Sequence, residues 1–151
     1  MTVTMQDVRA MLDPEEVDYE DAKRLGAEAI PFLMELVQGG DLGLASKATY
    51  LASLIEDKQS LAVLEAAAAR NEPVLKVAAA SGINNLSVAN ADRMLGLLKD
   101  DPDIGVRKVA LRSAARFNSP QIVAKLRQMA EMDPEPILRD LAANAVKKTE
   151  K

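Results

Sequence analysis

Between Ile104 and Ala130 stand six basic residues and no acidic one: Arg107, Lys108, Arg112, Arg116, Lys125 and Arg127. Lys108, Arg112 and Arg116 follow at steps of four. On a helix this places them on one face, as a positive stripe about 12 Å long at 1.5 Å per residue. Such a stripe suits phosphates or an acidic protein surface, and it is also the pattern of a solvated outer face. Arg107 belongs to a second basic series as well, Lys76, Arg107 and Arg139. Near-equal steps in that series imply a ladder pairing with helix-start acids such as Asp101, Asp103 and Asp133 of neighbouring units.

Signs of catalysis are few. The sequence holds no His and no Cys, which removes the commonest general base, the thiolate metal site and any disulfide framework. Ser46, Ser53, Ser60, Ser81, Ser87, Ser113 and Ser119 have no imidazole to activate them. Acids gather at helix starts, where capping accounts for them. Neither a glycine-rich phosphate loop nor EF-hand spacing is present. The expectation is a chain with no cofactor and no metal. One apolar series, Phe32, Val63 and Met94, also steps by 31 and ends in Lys125. It reads either as a groove for a partner's helix or as core.

The elements that position these residues repeat. Leu33, Leu64, Leu95 and Leu126 are each 31 apart, as are Leu36, Ala67, Leu98 and Met129. A period of 20–50 residues marks a solenoid, whose units bury their apolar faces only by stacking on one another. Hydrophobic residues make up 48% of the chain but aromatics only 3%, so the core is built from aliphatic side chains and Met, which favours close-packed helices. Net charge is −4, divided into −7 over residues 1–60 and +3 over residues 61–151. There is no uninterrupted apolar run of about 18 residues, and the start lacks a signal-peptide pattern. A soluble, cytoplasmic protein without a membrane span is expected.

Each period divides into two helical halves. Asp101-Pro102 and Asp133-Pro134 read as N-caps followed by Pro at the first helical position. Asp13 with Glu16 reads as a capping-box-like start, and Gly39-Gly40-Asp41-Leu42-Gly43 as the most flexible joint. The last helix places Ile137, Leu138, Leu141, Ala142, Ala145 and Val146 on one apolar side, as a capping element requires. The expected fold is all-α, a right-handed α-α superhelix of about four helical pairs plus terminal capping helices. It forms a single domain over residues 1–151, with repeats near 13–40, 41–70, 71–100 and 101–132 and a C-terminal capping helix at 133–148.

Asp101-Pro-Asp-Ile-Gly-Val-Arg-Lys-Val-Ala-Leu-Arg-Ser-Ala, followed by a Pro-started second helix, resembles the short bacterial HEAT-like repeat, of the type found in phycobilin lyases. Val106, Arg107, Ala110 and Ala114 fit its D-P-x-V-R-x-x-A-x-x-A pattern. Leu138, Arg139, Ala142 and Val146 fit it with one substitution, and Leu75, Lys76 and Ala79 fit loosely. Repeats of this kind specify a fold and say little about function. From the repeats and the missing catalytic groups, the leading expectation is a non-catalytic protein–protein interaction scaffold, not an enzyme. The alternatives that the resemblance implies are nucleic-acid binding through the basic fourth repeat, as in helical-repeat alkylpurine DNA glycosylases, and a chromophore-lyase role. A pI near 5.0 and the absence of Trp speak against nucleic acid.

Overall fold

The 31-residue columns form the seam between two layers of helices. The computed structural model describes residues 2–150. Ten α-helices follow in order: α1 (Met5–Leu12), α2 (Tyr19–Ala22), α3 (Ile30–Val37), α4 (Leu42–Leu54), α5 (Ser60–Ala69), α6 (Pro73–Gly82), α7 (Val88–Leu98), α8 (Ile104–Ala114), α9 (Pro120–Met132) and α10 (Pro136–Thr149). Short 3-10 segments, Lys23–Ala29 and Ile83–Asn85, lead into α3 and α7. No strand occurs among the described residues. The expected all-α solenoid is present: four pairs, α2/α3, α4/α5, α6/α7 and α8/α9, lie between the terminal helices α1 and α10.

Side-chain caps start most of these helices. Asp41 Oδ1 accepts from Leu44 N at 3.0 Å, Asp103 Oδ1 from Val106 N at 3.0 Å and Ser119 Oγ from Ile122 N at 3.2 Å, each satisfying a donor that the helix leaves unpaired. Three expected starts are displaced. Residues 13–18 are not helical and Asp13 closes α1. The capping box lies earlier, where Thr4 and Asp7 exchange backbone-to-side-chain bonds of 3.0 and 3.1 Å. Asp101 and Asp133 do not cap either. Each accepts from the backbone N–H two residues on, at 3.0 and 2.9 Å, making an Asx turn around a proline that has no N–H to compete. The helices then begin at Ile104 and Pro136.

Leu33, Leu64, Leu95 and Leu126 are fully buried, and Leu36, Ala67, Leu98 and Met129 are buried beside them. Each such leucine contributes about 1.5–3 kcal/mol by leaving water. In the other layer the facing residues are small: Ala45, Ala48 and Ala52 on α4, Ala79 and Ala80 on α6, Ala110 and Ala114 on α8, all buried. Small side chains let α4, α6 and α8 stack closely. α6 approaches α4 closely at Gly82, where an added Cβ would sit 2.8 Å from Ser53 Cβ. Gly26, at φ 72° and ψ −165°, supplies a turn before α3 that residues with side chains resist. The joint expected to be most flexible is tied down: Arg70 Nη1 donates to the carbonyls of Val37 and Gly39 at 2.9 and 2.6 Å.

The stack changes at its end. α10 packs along α9 and meets α8 over only a short stretch. It buries Leu138, Ala142, Ala145 and Val146, while Ile137, expected on the apolar side, is 67% exposed. The narrower buried arc follows from packing on one neighbour instead of two.

Leu95→Ala is expected to lower stability by about 2–5 kcal/mol, because its neighbours cannot close the gap without unstacking. Asn144→Ala, at an exposed position of α10, should change it little. Equal shifts of the two denaturation midpoints would refute the assignment of the seam. Gly82→Ala should destabilise by about 1–3 kcal/mol despite the better helix propensity of Ala, because the methyl group collides with α4. A raised melting temperature would contradict that close approach.

Candidate functional site

Four of the six basic residues between Ile104 and Ala130 have partners within this chain. Arg107 is buried: its Nε donates to Asp133 Oδ2 at 3.0 Å and its Nη2 to Oδ1 at 3.3 Å. The Nη1 of the same residue reaches the carbonyls of Asp101 and Pro102 at 2.9 and 3.3 Å. Lys125 Nζ meets Asp92 at 2.6 Å, and Arg127 meets Glu150 at 3.4 Å. Arg116 Nε donates to the carbonyl of Asn84 at 2.7 Å, and its guanidinium lies 4.0 Å from the Phe117 ring centroid. The expected patch of Arg107, Lys108, Arg112, Arg116, Lys125 and Arg127 therefore does not exist as one surface. Acids absent from the local sequence arrive from α7, from the α9–α10 turn and from the C-terminal end.

The 31-residue basic series forms a ladder. Lys76 Nζ donates to Asp101 Oδ1 at 2.8 Å, Arg107 grips Asp133, and Arg139 Nη1 donates to the carbonyl of Asp133 at 2.7 Å. Asp103, named with the other helix-start acids, is absent from it and caps α8 instead. Lys47 plays a comparable part at the other end, donating to the carbonyls of Leu12 and Pro14 at 3.0 and 2.8 Å. These cations satisfy carbonyls and Asx turns where one unit meets the next.

The apolar series is core. Val63 and Met94 are fully buried and Phe32 is half-buried, so these three cannot line a groove for a partner. The repeat places the series on the side of the second helices that faces the first layer. The serines are similarly occupied: Ser46, Ser53 and Ser60 donate to the carbonyls of Leu42, Tyr50 and Ile55. No group of three or more metal-ligating side chains occurs among the described residues, and no helix is long and apolar enough to cross a membrane.

What remains is a cleft of about 530 Å³ between α8 and α10. Leu111, Ala115, Leu141 and Ala145 line its apolar part, and Arg112, Arg116, Asn144 and Lys148 its polar part. No carboxylate lines it. Arg112 and Arg116 come from the step-of-four stripe, whereas Lys108, the third member, does not reach the cleft. Lys148 was legible only as an outer polar residue of the last helix, since its approach to Arg112 depends on how α10 docks. A larger hollow of about 610 Å³ lies at the α7–α8 and α9–α10 turns, but its most buried charges, Arg107 and Asp133, already satisfy each other.

The sequence matches no family model, and no curated protein matches it. The fold does have a solved counterpart, the complex of CpcE and CpcF of phycocyanin lyase from Nostoc sp. PCC7120. The likeness has a TM-score of 0.71 at 20% identity and covers 93% of this chain and 96% of that one. The architecture is thus a HEAT-like helical-repeat fold. This finding overturns the expectation of a non-catalytic interaction scaffold that is not an enzyme, because the same repeat architecture occurs nearly end to end in a lyase complex. That expectation rested on missing His and Cys, and a solenoid can assist a reaction by positioning a substrate without supplying either.

Arg107→Ala is expected to cost about 3–5 kcal/mol by stranding the buried Asp133 carboxylate. Arg127→Ala, whose pair is exposed on both sides, should leave the thermal midpoint nearly unchanged. A small effect of both would remove the ladder from the account of stability.

Proposed function

We propose that this chain is a subunit of a chromophore lyase of the phycobilin type, acting with a second protein subunit. The observation that carries this reading is the extent of the likeness: the chain and a chain of the CpcE–CpcF complex correspond over nearly the whole length of both. The HEAT-like signature residues Val106, Arg107, Ala110 and Ala114, repeated as Leu138, Arg139, Ala142 and Val146, support the shared fold from the sequence. That the solved counterpart is a complex of two subunits supports a protein partner for this chain as well.

The residues also bear on how such a subunit contributes. With no imidazole and no thiol in the sequence, this chain's part is to bind the chromophore, orient it and limit access of water. Orientation alone can supply a large share of a rate enhancement. The groups that undergo bond formation then belong to the chromophore, the acceptor protein or the partner subunit.

The test is reconstitution. The chain is combined with either CpcE or CpcF of the Nostoc complex, apo-phycocyanin subunits and a free bilin, and covalently attached bilin is read by zinc-enhanced fluorescence on denaturing gels. Attachment at least about tenfold faster than in the same mixture without this chain is expected with one of the two partners, a modest demand for a positioning effect. Rates equal to the chain-free mixture with both partners would overturn the reading.

A further inference from the structure

The cleft between α8 and α10 has the chemistry of a ligand site. Its floor comes from Leu111, Ala115, Leu141 and Ala145, and its rim carries Arg112, Arg116 and Lys148. A volume of about 530 Å³ lies within the size range of small-molecule sites, in a groove that stays open to solvent. The cleft exists because α10 leaves the α4–α6–α8 stack to pack on α9, so the last inter-helix groove is not filled as the earlier ones are.

The charges are what select an occupant. Several basic residues are spent on partners of this chain: Lys76 on Asp101, Arg107 on Asp133 and Lys125 on Asp92. Among the described residues no carboxylate pairs with Arg112 or Lys148. Arg116 uses Nε on the Asn84 carbonyl and is stacked near Phe117, which holds its guanidinium in place between this cleft and a hollow of about 460 Å³ that Glu56 and Asp57 also line. An anchored guanidinium binds a carboxylate in two-point fashion with little loss of side-chain freedom. Three cations beside an apolar floor, with no acid among them, match an apolar molecule that carries carboxylates.

We propose that this cleft binds an elongated apolar small molecule through its carboxylate groups. Arg116 and Arg112 hold a carboxylate, Lys148 serves a second one or the same one from the α10 side, and the apolar body lies on Leu111, Ala115, Leu141 and Ala145. In the lyase reading, on which this identification of the ligand rests, the molecule is the bilin with its two propionates. The same chemistry is offered by a fatty acid, and the experiment separates the two.

Binding of biliverdin, biliverdin dimethyl ester and dodecanoate to the full chain is measured by absorbance or by calorimetry. The wild type is compared with Arg112→Gln/Arg116→Gln and Arg112→Gln/Lys148→Gln. The second variant leaves the Arg116–Asn84 bond intact, and circular dichroism checks both folds. Biliverdin should bind the wild type, with affinity falling about tenfold or more on esterification and by a similar factor in each variant. Dodecanoate binding that is lost in the variants, with no biliverdin binding, keeps the cleft and removes the bilin. Biliverdin binding indifferent to esterification and to both variants overturns the cleft while leaving the lyase reading in place. Failure of both acids to bind overturns the cleft.

Discussion

A single helical pair of this chain has an apolar face that it cannot cover by itself. Leu64 and Leu95 are buried only because the pairs before and after them are in register. Every other feature depends on that register. The small residues of α4, α6 and α8 permit it by letting backbones approach, and Gly82 against Ser53 shows how little room remains. The basic ladder reinforces it at the edge where the turns lie, since Lys76 and Arg107 each reach forward to the Asx turn that opens the next unit.

Partners on other helices and turns of this chain explain why so many charges in the cationic region are already engaged. Arg107 looks like a surface arginine in a run of bases, yet it is held by a buried carboxylate and two backbone carbonyls. Its role is the one a repeat needs: to satisfy polar groups at each junction, where unpaired carbonyls would be costly. Arg112 and Lys148 face a groove that α10 fails to close because it sits on α9.

A solenoid of this kind offers a long surface and little built-in reactivity. The correspondence with a chain of a phycocyanin lyase complex is a likeness of this architecture. Binding and orientation are tasks that Leu, Ala and Arg on rigid helices perform well. A missing general base is therefore a weak argument against an enzyme role.

The local and periodic properties of this protein were readable from its residues alone. Steps of 31 at Leu33, Leu64, Leu95 and Leu126 name the seam and the number of pairs, because burial between like units demands like residues at like spacing. Basic residues near the same step announce the ladder. The turns were less legible: Asp101-Pro102 and Asp133-Pro134 look like caps, since an Asx turn and an N-cap both use an aspartate oxygen on a nearby N–H. The cleft was beyond sequence altogether. Whether Arg112 faces solvent, a carboxylate or Lys148 depends on contacts between helices more than thirty residues apart, and on α10 choosing α9 over α8. Period decides which residues are buried; the docking of the last helix, where the period stops, decides which charges are left to bind something else.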